Sequence, residues 1–392
     1  MDIRQFKVSF IGDFIKKESS SGIILMFITV LALLVANSKF SFIYTLIIFR
    51  DIHLSLFNYP IHFSIQHFTN DGLMAVFFLL IGLEIKREII EGGLSTKEKC
   101  ILPTVAAIGG MVIPALIFYF YNKSDPNALK GWAIPMATDI AFALGILSLL
   151  GNKIPATLKT FLMALAILDD LGAILIIAIF YTSKLSYLYL SLSAIVVIIL
   201  IFLNKFNVNK KSPYLILGLF LWLFILKSGI HATFAGVILA FTIPLKNSNN
   251  NGTLKSLSKE IEAKLHYWVA FFIIPVFAFV NAGLTLDVGM IKNLTQSMPL
   301  GIIIGLFIGK QIGVFGFSYI AIKFKISELP RGANWTQFYG VCILTGIGFT
   351  MSIFIALLSY PQNYYESLDI LAVFVGSLLS GAVGLLVLCF SK

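Results

Sequence analysis

Apolar runs of about 20 residues recur along the whole length of this chain, and they constrain its fold more than any single motif. In hydrocarbon every backbone N–H and C=O must find its partner inside the protein, so such runs specify membrane-spanning helices. Twelve spans are read, at 22–38, 62–83, 101–121, 132–150, 156–181, 186–204, 213–227, 229–245, 268–284, 298–322, 336–359 and 367–389. The composition agrees: 58% of the 392 residues are hydrophobic and 12% are charged, against roughly 25% charged in soluble domains. No segment is long and polar enough to form a soluble domain, so residues 1–392 are read as a single integral membrane domain, all-α and polytopic. Cys100, Cys342 and Cys389 are odd in number, far apart and without metal-ligand spacing, so neither a disulfide framework nor a metal centre is expected. The first 20 residues contain acids and lead to no small-x-small cleavage site, so they are not read as a signal peptide.

An even number of spans puts both termini on one face. That face collects 21 of the lysines and arginines, against 7 on the other, with Lys310 mid-span. By the positive-inside rule both termini are cytoplasmic. The net charge of +10 is then mostly a topology signal, and nucleic acid is not an expected partner. In the first outside loop, "DIHLSLF" alternates Ile52, Leu54 and Leu56 with His53 and Ser55. Such a period-2 segment either skims the headgroups or forms an edge strand able to pair with a partner subunit.

Few ionisable residues lie deep inside the spans. They are Asp71, Asp139, Lys310 and, in "AILDDLGAI", the adjacent Asp169 and Asp170. Asp169 falls about 20 Å along its helix, near the bilayer midplane. Adjacent residues point about 100° apart on a helix, so one lysine can hardly serve both carboxylates. Intramembrane acids mark ion or proton pathways. Desolvation and mutual repulsion disfavour the doubly ionised pair, and a bound cation offsets the repulsion. Protons and cation then compete for one site, which titrates as a pair. No further cofactor is implied. Asp139 follows Pro135 in span 4; if the span breaks there, Asp139 complements the positive start of a new helix and Thr138 could cap it. Lys310 would balance the opposing carbonyl ends or pair with an aspartate. Gly301, Gly305, Gly309 and Gly313 form an i+4 ridge that allows close helix packing beside Lys310. Asp71 reads as a helix-start residue or a further site, and His231 as a satisfied packing residue.

"TDIAFALG" at 138–145 matches "TGIGFTMS" at 345–352 in Thr, Ile and Phe. Paired, interrupted hydrophobic segments in the two halves point to a transporter site built on inverted repeats.

The stretches "NDGLMAVFFLLIGLEIKRE", "GWAIPMATDIAFALG", "FLMALAILDDLGAI", "LKSGIHATFAG", "FVNAGL", "GIIIGLFIGK" and "GIGFTMSIF" occur in this order between about residues 70 and 390. In them the chain resembles the bacterial NhaA-type sodium/proton antiporters, a family that is itself an example of inverted repeats with broken helices. The resemblance implies a multi-pass protein of the bacterial cytoplasmic (inner) membrane, a secondary transporter and not an enzyme. It implies electrogenic, pH-regulated exchange of cytoplasmic Na+ or Li+ for external H+, with more protons than sodium moved per cycle, in sodium and pH homeostasis. It implies Asp169 and Asp170 as the Na+ and proton site, with Asp139, Thr138 and Lys310 compensating charge where broken spans 4 and 11 cross. Glu84, Arg87, Glu88, Glu262 and His266 become a candidate cytoplasmic pH-response cluster, and a homodimer joined partly through the 45–60 loop is expected. Two departures stand out: Gln311 where the family often has proline, and fewer histidines near the cytoplasmic acids.

Two other classes fit less well. An intramembrane aspartyl protease needs aspartates facing across separate helices, usually with one in a Gly-x-Gly-Asp turn, which this chain lacks. A cation channel favours symmetric rings of carbonyls or acids, where this chain offers one asymmetric cluster.

Overall fold

Most of the apolar runs form helices. The structure, a computed structural model, describes residues 3–56, 59–92, 96–182, 185–245, 256–360, 365 and 367–391, with side chains except at 3–19, 51–56, 59–63, 97–99 and 152. In chain order the elements are α1 (Ile3–Ala36), α2 (Ser41–Phe49), β1 (Asp51–Leu56), β2 (Tyr59–Ser64), α3 (Ile65–His67), α4 (Met74–Ile90) and α5 (Lys97–Asn122). They continue as α6 (Ile140–Leu149), α7 (Ala156–Phe180), α8 (Tyr187–Lys205), α9 (Lys211–Ser228), α10 (Phe234–Thr242), α11 (Leu257–Trp268) and α12 (Ile274–Ala282). The last are α13 (Val288–Asn293), α14 (Ser297–Ile304), α15 (Gly316–Lys323), α16 (Trp335–Leu344), α17 (Phe349–Ser359) and α18 (Leu368–Phe390).

Among the described residues nine helical runs are long and apolar enough to cross a membrane, or ten if α1 and α2, bent by 111°, form one broken span. The chain is a polytopic, helical membrane protein. Three of the twelve apolar windows are not among these nine runs. The 22–38 window lies in α1 at the bend. The 62–83 window starts in β2, passes through α3 and a π-helical turn at Phe68–Leu73, and ends inside α4, which is 17 residues long. The 229–245 window holds α10, nine residues long, after Gly229 in the left-handed region at φ 91°. The "DIHLSLF" alternation does form a strand: β1 pairs antiparallel with β2, Asp51 opposite Ser64 and Leu56 opposite Tyr59. Residues 57–58 of the 45–60 loop lie outside the described residues, as do Lys184, Lys246, Lys255 and Lys392 of the charge count.

By internal packing the chain forms two compact units. The first comprises Met1–Asn37, Thr96–Ala173 and Ala282–Lys392; the second comprises Ser38–Ser95 and Ile174–Asn281. In the first unit α5 lies against the stretch from α14 to α15 through the glycine ridge. A Cβ on Gly313 would stand 2.1 Å from the Gly109 carbonyl oxygen, and one on Gly305 2.7 Å from Pro135 Cβ. Backbones touch there because no side chain intervenes. The ridge is wound as π-helical turns at Gly305–Gly309 and Gln311–Phe315, with Lys310 between them. Leu306, Phe338, Ile347 and Phe354 are fully buried in this unit. In the second unit α4 crosses α10 at Gly236, whose Cβ would fall 2.1 Å from the Ala75 oxygen. Leu83, Leu200, Tyr214, Leu221 and Ala240 form its core.

Candidate functional site

The paired aspartates belong to the first unit. Asp169 and Asp170 are each 2% exposed on α7, 13 and 14 residues beyond its start. Lys310, fully buried, donates from Nζ to Asp169 Oδ2 at 2.6 Å. Gly110 on α5 packs beside that side chain: a Cβ there would lie 2.8 Å from Val314 Cγ2 and in ordinary contact, 3.6 Å, with Lys310 Nζ. Thr138 Oγ1 lies 2.8 Å from Asp169 Oδ2 and 2.8 Å from the Thr345 carbonyl oxygen. A hydroxyl has one proton to donate. With Asp169 ionised, both neighbours of Thr138 are acceptors, and one contact lacks a proton. Asp169 Oδ1 is buried with no hydrogen-bond partner among the described residues. The group is thus short of positive charge or protons at a buried carboxylate, a deficit that a bound proton or a small cation relieves.

The local sequence explains how Thr138 and Asp139 reach this point. Pro135 sits in a 3₁₀ turn, Ile134–Met136, and Ala137 is extended, so the helix is interrupted before α6. Asp139 rather than Thr138 caps α6, its Oδ1 accepting from Phe142 N–H at 3.0 Å. Its Oδ2 accepts from the start of α17, from Thr350 N–H at 3.1 Å and Thr350 Oγ1 at 2.5 Å. Its own N–H donates to the Ile347 oxygen at 2.6 Å. α16 ends and α17 begins on either side of this segment, where Gly346 is pressed between Leu306 and Ser380. One carboxylate therefore meets the positive ends of two short helices. Lys310 is taken up by Asp169 rather than by the carbonyl ends.

In the second unit the residues of the candidate pH-response cluster come together. Arg87 donates to Glu262 at 2.7 Å and to Glu88 at 2.5 Å, and His266 Nδ1 lies 3.6 Å from Glu84. Lys259 extends the group to Glu91 at 2.5 Å. Lys86 caps the carboxyl end of α10, donating to the oxygens of Phe241 at 2.8 Å and Ile243 at 2.5 Å. Burial pulls its ammonium from the usual 10.5 down to about 8. It is charged at neutral pH and loses the charge as pH rises through about 8.

Similarity to known proteins gives the family. The sequence model described as Na+/H+ antiporter 1 matches residues 12–388. The Na(+)/H(+) antiporter NhaA of Sulfurovum sp. (strain NBC37-1) is 52% identical over 383 residues, covering 97% of this chain and 98% of that one. The protein of the same name from a Nitratiruptor species is 52% identical over 377 residues, covering 96% and 97%. That of Campylobacter curvus (strain 525.92) is 51% identical over 376 residues, covering 96% and 93%. The chain belongs to the Na+/H+ antiporter 1 family. In this antiporter-family chain Gln311 accepts a hydrogen bond from Tyr339 at 2.8 Å. Asp71 lies inside the π-helical turn rather than at a helix start; Ser64 caps α3 instead. Its carboxylate is 3.5 Å from His231 Nε2, and its carbonyl accepts from Trp222 at 2.8 Å. His231 also meets Thr233 at 2.8 Å, in keeping with a packing role. Sequence reasoning did not assign Thr345 or Thr350 to the site, although both lie within the matched "TGIGFTMS" stretch.

Proposed function

We propose that this chain is a secondary active transporter that exchanges cytoplasmic Na+ or Li+ for external H+ at Asp169 and Asp170. The observation that carries this reading is Asp169 Oδ1, buried and without a hydrogen-bond partner among the described residues, on a carboxylate already held by Lys310 and Thr138. The ion is cargo, so the site must be able to hold either cation or protons. The protons suit the carboxyls when the cation is absent, and the cation drives them off by charge. Alternating access of this site to the two faces would give electrogenic exchange that serves sodium and pH homeostasis in the bacterial inner membrane. The interrupted segments at 137–139 and 345–348 support a pair of crossed, broken spans within a twelve-span inverted repeat acting as one transporter domain. The hairpin β1–β2 supports a homodimer contact through the 45–60 loop.

Asp169→Asn and Asp170→Asn should each abolish or severely cripple Na+-driven ΔpH dequenching in everted vesicles while the protein still inserts. Normal dequenching in both would sink the reading. The cluster of Glu84, Arg87, Glu88, Glu262 and His266 would report cytoplasmic pH, because histidine is the side chain that ordinarily titrates in that range. Glu262→Gln should then shift the curve of apparent Na+ affinity against pH with little loss of maximal rate. Superimposed curves would leave competition at the aspartates as the whole pH response.

A further inference from the structure

α17 begins with backbone N–H groups that its own helix cannot satisfy. Its N-cap, Gly348, has no side chain to offer, and hydrocarbon supplies no water. Two of these groups are taken by another helix: Ser377 Oγ on α18 accepts from Gly348 N–H at 3.2 Å and from Phe349 N–H at 3.1 Å. The next, Thr350 N–H, goes to Asp139 Oδ2, while Asp139 Oδ1 holds the start of α6. Ser377 is buried, as is Asp139. α18 cannot drift from this point unnoticed, since Gly346 is in close contact with Ser380, one turn further along α18.

We infer that Ser377 is a positioning residue for exchange: by accepting the first two N–H groups of α17 it keeps Asp139 shared between α6 and α17, and so holds Thr138 on Asp169. The inference rests on the reading of Asp169 as the ion site. A hydroxyl suits the task. Its two lone pairs match two N–H donors, and being neutral it does not compete with the carboxylates for a cation. Without it, two buried N–H groups are left unpaired next to a carboxylate already bound to Thr350, and they turn to it. A carboxylate has about four acceptor sites, and with three of them taken Asp139 cannot satisfy both groups while keeping Thr350 and Phe142. The start of α6 then shifts, and with it Thr138, whose hydroxyl is 2.8 Å from Asp169 Oδ2.

The test compares Ser377→Ala and Ser377→Thr in proteoliposomes, reading KM for Na+ and kcat separately beside the melting temperature. Ser377→Ala should raise KM about tenfold, the scale of one hydrogen bond to a charged group, with a smaller fall in kcat. Ser377→Thr keeps the hydroxyl and should stay near the parent KM. If Ser377→Ala does not insert, Ser377→Cys, a weaker acceptor of similar size, should give an intermediate KM. A parent KM in the alanine or cysteine variant, whatever the melting temperature does, overturns the inference. So does a threonine variant as impaired as alanine. Asp169→Asn run alongside separates the two readings. Exchange surviving there removes the site and this inference with it; exchange lost there, with KM unmoved in Ser377→Ala, overturns this inference alone.

Discussion

A lysine ammonium with no exposed surface needs a counter-charge, and Lys310 has one in Asp169 at 2.6 Å. Two charges taken out of water recover that cost when the geometry is close and each is hydrogen bonded; removing one partner leaves the other uncompensated, at a cost of about 3–5 kcal/mol. Lys310→Ala should therefore lower the melting temperature of the purified protein strongly, and a parent-like melt would show that the pair does not hold these segments. Lys310→Arg keeps the charge and should retain some exchange, although a planar fork does not reproduce a point donor. Whether the amine also carries a transported proton is decided by electrogenicity. Equal charge moved per cycle in an active Lys310→Gln variant would exclude that role.

At the scale of elements, short and interrupted helices place the chemistry, and glycines let them meet. π-helical turns flank Lys310, and insertions of this kind recur at functional sites because they re-aim one side chain within a helix. The turn after Lys310 is in backbone contact with α5. A Cβ on Gly313 would stand 2.1 Å from the Gly109 oxygen and 2.6 Å from its carbon, neither of which can rotate away. Gly316, one turn on, has open space at the same position. Gly313→Ala should destabilise the detergent-solubilised protein by about 1–3 kcal/mol, as overpacking does. Gly316→Ala should be neutral or stabilising by up to about 1 kcal/mol, since alanine is the better helix former. Equal melting temperatures for the two variants would mean that the ridge is not packed as described.

For the molecule as a whole, what was legible in the sequence was whatever depends on spacing along the chain. Apolar windows marked most long helices, and an alternation marked β1. Two acids inside an apolar run marked Asp169 and Asp170, and the i+4 glycines marked the ridge beside Lys310. What was not legible depends on contacts remote in sequence. Lys310 and Asp169 are 141 positions apart, and Asp139 and Thr350 are 211 apart. No periodicity records which buried acid a buried lysine will choose, or that Asp139 rather than Thr138 would cap α6. Ser377 reads as an ordinary small residue in an apolar helix until the start of α17 is beside it. The shortness of α10 and the bend after α1 were hidden because hydropathy averages over a window and is blind to a left-handed glycine or a turn inside it.

The proposed exchange requires that cation and protons compete for a shared buried site at Asp169 and Asp170. Adding Na+ to the purified, weakly buffered protein and recording the released protons tests it most directly. The parent protein should release protons on Na+ addition, less so as pH rises and the site empties of them, and Asp169→Asn/Asp170→Asn should release none. Na+ binding without proton release, or equal release from the double variant, would contradict it.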